Sequence, residues 1–182
     1  MFRKYKGELG LALTAFIWGS GFIGVSISLS GGLTPLQILT IRFFIGAILL
    51  GVIFFKEIKN NITKESVIAG SMIGVFLFIA FVFQTIGISY TTASKNAFLT
   101  AINVVIVPFI GFILYKRPLD KYGIISSIIA ILGIGILSLD VDFTINFGDF
   151  LTIICAFGFA FHIFFTGEFV KKHNPIVLTV VQ

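Results

Sequence analysis

Six apolar runs, each near twenty residues, dominate the chain, at 9–29, 35–55, 66–89, 94–115, 122–139 and 149–169. About twenty such residues, coiled as a helix, cross roughly 30 Å of hydrocarbon. Lipid offers no water to satisfy backbone N–H and C=O groups, so only helices and closed barrels can span it. The runs are continuous and do not alternate with period two, which rules out barrel strands. The expected fold is therefore an all-α polytopic membrane protein. Composition agrees: 57% of residues are apolar and 12% charged, half of the roughly 25% charge usual in soluble domains. A seventh apolar run, 176–181, follows Pro175 and is too short to span before the sequence stops at Gln182.

The net charge of +5 invites a nucleic-acid reading that its distribution rejects. Basic residues cluster at Arg3, Lys4 and Lys6, at Lys56, Lys59 and Lys64, at Lys116, Arg117 and Lys121, and at Lys171 and Lys172. The intervening loops hold almost none: 30–34 is free of them, 90–96 has Lys95, and 140–149 carries only acids, Asp140, Asp142 and Asp149. This alternation is the positive-inside pattern. It places the N-terminus in the cytoplasm of a multi-pass protein of the cell (plasma) membrane and excludes a nucleic-acid partner. The single Cys155 allows no intrachain disulfide. The N-terminal apolar run is too long for a signal peptide and lacks a small-x-small cleavage site, so it reads as an uncleaved helix.

A faint repeat runs through the chain. GELGLALTAF at 7–16 aligns with GDFLTIICAF at 148–157, sharing Gly, Ala and Phe, with Glu8 opposite Asp149. Thr34-Pro35 then matches Asn174-Pro175 if one residue is dropped. Five spans separate the two copies' starts. An odd number makes the second copy enter the membrane from the opposite face, the arrangement of secondary transporters that bind substrate near the midplane. Residues 1–140 are expected to be one five-helix repeat and 148–182 the incomplete start of a second, inverted one, so that the sequence reads as a fragment, truncated after the start of helix 7.

Polar residues at mid-depth are then the candidates for function. In YTTASKNAFLTAINVVIVPF, residues 90–109, Asn96, Thr100 and Asn103 are spaced four and three apart and share one helical face. Asn103 lies about 13 Å into the helix from residue 94. A primary amide facing lipid would cost several kcal/mol, so this face must look at another helix or a cavity; both readings stay open. Pro108 frees the carbonyl of Val104 and is expected to kink the helix there. Lys95, at the external end, is expected to snorkel to the headgroups. Trp18 sits mid-depth although tryptophan prefers interfaces; it either fills the core or stacks on a substrate ring. Ser20, Gly24 and Ser28 suggest a close helix contact, and Gly70, Gly74 and Gly133 read as packing positions. Arg42 is the one intramembrane charge, available for snorkelling, for pairing with an external Asp, or for a substrate carboxylate if it faces inward. Gln84 and His162 are further polar candidates, His162 as a proton carrier or as a hydrogen-bonding partner of a neighbouring helix.

Taken together, Trp18-Gly19-Ser20, Arg42-Phe43 after the Pro35 helix start, the 90–109 stretch with Pro108, and the glycine-rich ILGIGIL of the fifth span resemble the drug/metabolite transporter superfamily, in its EamA-like ten-helix branch. The resemblance implies two inverted five-helix repeats, cytoplasmic termini, and efflux or exchange of small metabolites by alternating access. It implies a central cavity drawn from the first, third, fourth and sixth helices, with Trp18, Asn96, Thr100 and Asn103 lining it. Tyr115-Lys116-Arg117-Pro118 departs from the small-Glu-Arg the family often carries after the fourth helix. The expected partners are the lipid bilayer, a small-molecule substrate, and a second chain or a missing C-terminal half. No cofactor, metal or catalytic residue is expected. An intramembrane enzyme would need a Gly-x-Ser-x-Gly-like serine with a histidine, paired aspartates or clustered carboxylates, and the sequence has none of these. The competing reading is a truncated, non-transporting module that assembles with other chains.

Overall fold

The computed structural model describes residues 6–119, 121–138 and 145–182, and they form helices joined by short turns. In chain order these are α1 (Lys6–Ser30), α2 (Pro35–Ile53), α3 (Phe55–Asn61), α4 (Lys64–Ile88), α5 (Ala93–Thr100), α6 (Asn103–Tyr115), α7 (Lys121–Ser138), α8 (Phe147–Phe169) and α9 (Pro175–Val181). The protein is an all-α polytopic membrane protein. Five segments are long and apolar enough to cross a bilayer: Gly7–Ser30, Pro35–Ile53, Lys64–Ile88, Ala93–Tyr115 and Phe147–Phe169. In the fifth expected span the described apolar helix is the shorter Gly123–Gly133. Leu139, Asp140, Asp142, Arg3 and Lys4 lie outside the described residues.

Local chemistry sets the helix starts. Thr34 caps α2 through a reciprocal capping box with Gln37, and Pro35 supplies the fixed φ of the first turn. Thr63 and Ser66 do the same for α4, and Asn146 and Asp149 for α8. Asn174 accepts from the amides of Ile176 and Val177 beside Pro175 at the start of α9.

Helix α8 is the centre of the packing. It lies along α4, and with no water to expel between helices, close contact must come from small residues that let backbones approach. A Cβ on Gly158 would lie 3.0 Å from the Ala80 Cβ, and one on Gly148 would lie 2.6 Å from the Gly87 carbonyl oxygen. Ala80, Cys155 and Phe159 are buried together along this seam, while Ile110, Ala160 and Phe164 join α8 to α6. Phe76, Phe161 and Phe165 stack, with centroids 5.4–5.6 Å from Phe76. Gly70 and Gly74 act as expected, being met by Val181 and the Gln182 backbone at 2.7 Å from a notional Cβ.

The seams also fix direction. The start of α8 meets the end of α4 at Gly148 and Gly87, so these helices are antiparallel. The end of α1 shares that level, since Leu29 packs on the Val25, Ile38 and Ile88 cluster. Helix α8 thus crosses in the sense opposite to α1. At the other end Arg117 meets Glu168 and Asn174 meets Glu57. The clusters Lys56–Lys59–Lys64, Lys116–Arg117–Lys121 and Lys171–Lys172 all fall at that same end.

Several local expectations need correcting. The fourth span is not one kinked helix but two, interrupted at Ala101-Ile102, with Pro108 accommodated inside α6. The turn before Val104 tightens to i→i−3 bonds, Ile102 to Leu99 at 3.2 Å and Val104 to Ala101 at 3.1 Å. Pro108, with no N–H, leaves the Val104 carbonyl without its i→i−4 partner inside α6. The second span ends at Ile53, and the short α3 follows it. Gly24 and Gly133 have nothing within 4 Å of a notional Cβ among the described residues. Ser28 instead donates to the carbonyl of Gly24 in its own helix. Lys95 does not snorkel: it is buried and holds Asp149 at 2.8 Å. The first turns of α5 and α8 lie side by side, and an opposite charge within reach there replaces the headgroups.

Candidate functional site

Between α1, α2, α4, α5 and α8 lies a cavity of about 260 Å³, near the lower end of the roughly 300–1,000 Å³ typical of small-molecule sites. Its aromatic wall is continuous. The Trp18 ring lies 6.2 Å from Phe159, and Phe159 meets Phe81 edge-on at 5.2 Å. Over the Phe81 face, 4.7 Å from its centroid, sits the guanidinium carbon of Arg42, a cation–π distance. Trp18 is among the residues that line the cavity and is 54% exposed, so it does not fill the core.

The polar wall comes from α4 and α5. Gln84 Nε2 donates to Thr100 Oγ1 at 3.3 Å, and Thr100 Oγ1 stands 3.8 Å from Cys155 Sγ. Thr100 ends α5, directly before the interruption at Ala101-Ile102. One turn away, the fully buried Asn96 donates through Nδ2 to Thr152 Oγ1 at 2.7 Å and to the Gln84 carbonyl at 3.2 Å. The Thr152 hydroxyl in turn donates to the Gly148 carbonyl at 2.7 Å. Asn96 therefore ties α5, α4 and α8 together behind the cavity wall. Its Oδ1 has no partner among the described residues.

Of the six residues singled out from sequence, the cavity brings together Trp18, Gln84 and Thr100. Asn96 is in the seam beside it. Asn103 is buried at the start of α6 and does not line it. His162 lies farther along α8, where Nε2 meets Gln182 Oε1 at 3.0 Å. Phe81, Phe159 and Arg42 join the site without having been grouped with it. The signal for Phe81 was present, since it precedes Gln84 by three residues and so shares its face. Phe159 required knowing that α8 packs on α4.

A second cleft of about 320 Å³ adjoins Pro108, Arg117 and Phe164. Its guanidinium is already bound by both carboxylate oxygens of Glu168, at 2.7 and 2.8 Å. That cleft lacks the convergent polar groups of the first.

Comparison with known proteins gives a consistent assignment. The EamA-like transporter family matches residues 5–139. The chain is 34% identical over 180 residues to an uncharacterized transporter of Archaeoglobus fulgidus, covering 99% of this chain and 55% of that protein. An uncharacterized transporter of Clostridium kluyveri is 31% identical over 141 residues, 72% of this chain and 44% of its own length. A further uncharacterized transporter of Archaeoglobus fulgidus is 30% identical over 184 residues, covering 96% and 62%. The chain spans about half the length of the curated relatives it matches. No solved structure matches it significantly.

Proposed function

The chain belongs to the EamA-like transporter family, and from that premise we propose that it moves a small metabolite, by efflux or exchange, through alternating access. The cavity between α1, α2, α4, α5 and α8 is the substrate site of this reading, and its convergence of Trp18, Gln84 and Thr100 is the observation that carries it. Trp18 stacks on the substrate; Gln84 and Thr100 hydrogen-bond to it. Asn96 holds the wall behind them. Asn103 and His162 belong to the path that substrate follows when the helices rearrange. The interruption at Ala101-Ile102 gives α5 a pivot, in keeping with the discontinuous helices of transporters whose repeats rock against each other.

In this reading residues 1–140 form one five-helix repeat and 148–182 begin its inverted counterpart, which the opposite directions of α1 and α8 support. A further bundle, in the same polypeptide or in a second chain, completes the path. The basic end of the helices and the N-terminus face the cytoplasm of the plasma membrane, following the positive-inside pattern. The chemistry is binding and movement without covalent steps.

Counterflow in proteoliposomes, screened over amino acids, nucleosides and organic cations, tests this. The expected result is saturable counterflow of one class, lowered roughly tenfold in Gln84→Ala, a loss of about 1.4 kcal/mol of binding. Counterflow unchanged in both Gln84→Ala and Trp18→Ala would move the substrate site elsewhere, and its absence for every class would contradict transport of these metabolites.

A further inference from the structure

Among the described residues, Arg42 stands apart from every other charge at depth. It lies seven residues past Pro35, about 10 Å into the helix. Its guanidinium stacks on Phe81, and no hydrogen bond or ion pair to a described residue engages it. Of the acids in the described spans, Asp149 pairs with Lys95 and Glu168 with Arg117 and Lys171, while Glu8 and Glu65 lie in the first turns of α1 and α4, at the opposite end from Pro35. A cation at this depth is costly unless an anion or water meets it. A guanidinium carries a planar fork of donors suited to a carboxylate.

Among the described residues, no acid lines the cavity beside it. Its lining carries one charge, positive, together with Trp18, Phe81 and Phe159. The Arg42 charge disfavours a second cation here, and the three rings offer apolar faces to a flat body. We propose that the substrate of this cavity is an amphipathic anion, a carboxylate on a flat apolar body, with Arg42 binding the carboxylate and the three aromatic rings the body. This rests on the transport reading above and specifies its substrate class. Arg42 also borders the groove between α1 and α2, next to Gly21, Gly24 and Ser28. A lipid phosphate could therefore supply the same anionic chemistry, and the test separates the two sources.

Trp18 is the single tryptophan of the sequence and lines the cavity, so its emission reports occupancy directly. The protein in phosphatidylcholine nanodiscs is titrated with phenylacetate, 2-phenylethanol and phenylethylamine, which share a ring and differ in charge. Phenylacetate is expected to change Trp18 emission saturably, with affinity at least about tenfold above the other two. Arg42→Gln should remove that advantage, and saturable 2-phenylethanol binding by the variant shows that it is folded; Arg42→Lys should retain part of the advantage. If Arg42→Gln fails to fold, the wild-type ranking and Arg42→Lys decide. Equal affinities, no saturable response, or an advantage that survives Arg42→Gln would overturn the inference. In phosphatidylglycerol nanodiscs the advantage should persist; its complete loss there would assign the anion to the headgroup and overturn it as well. Preserved counterflow with no preference for the anion would leave the transport reading standing and remove only the charge selection.

Discussion

Replacing Asp149 with alanine lowers stability by about 3 kcal/mol or more, because it leaves the Lys95 ammonium buried without its carboxylate. The Asp149 side chain is 2% exposed and that of Lys95 10%, with 2.8 Å between their charged atoms. Asp149 has further duties in the same turn. Its Oδ1 accepts from Thr91 Oγ1 at 2.8 Å and its Oδ2 from the Asn146 amide at 3.0 Å, and its negative charge sits at the positive end of the α8 dipole. Chemical denaturation in detergent measures the loss. A double-mutant cycle with Lys95→Met separates the pair from the cap: Asp149→Ala should cost less by about 0.5–3 kcal/mol when no ammonium is left to orphan. Strict additivity would mean that the pair contributes nothing of its own.

Gly148→Ala is the second large effect expected. The added methyl would stand 2.6 Å from the Gly87 carbonyl oxygen and 2.9 Å from backbone atoms of Tyr90 and Thr91. None of these is a flexible side chain, so α4 and α8 must separate, at a cost of about 1–3 kcal/mol or more. The separation also pulls Thr152 away from Asn96, which are 2.7 Å apart. Gly133→Ala is the matched control: with nothing within 4 Å among the described residues, it should be neutral or stabilising by up to about 1 kcal/mol. Equal unfolding midpoints for Gly148→Ala, Gly133→Ala and the parent would show that α4 and α8 do not meet this closely.

The comparison of sequence with structure divides along a physical line. Helix positions were legible because hydropathy and caps are local: Thr34-Pro35 and Asn174-Pro175 mark starts that the structure keeps. The burial of Asn96, Thr100 and Asn103 was legible from their polarity within an apolar run, but the single helical face was not kept, because the helix breaks between Thr100 and Asn103. What each residue meets was not legible. Asn96 bonds into the α4–α8 seam while Thr100 opens onto the cavity, a difference set by which helix lies opposite each residue. The Lys95–Asp149 pair joins residues far apart in the chain and depends on two helix ends being neighbours. The interruption at Ala101-Ile102 carries no glycine or proline of its own. The local signal, Pro108, lies six residues past the break and stays inside α6, so the residues at the break gave no sign of it.

The central claim is that the Trp18 side of α1 faces a watery binding cavity, while other exposed apolar residues of the same helix face lipid. Trp18 is 54% exposed and Phe16 76%, so exposure alone does not distinguish them. Cysteines placed singly at the two positions do, when treated in intact membranes with a water-soluble methanethiosulfonate; the native Cys155 is fully buried and gives the background. The account predicts rapid modification of Trp18→Cys and silence of Phe16→Cys. Equal reactivity, or a silent Trp18→Cys beside a reactive Phe16→Cys, would contradict it.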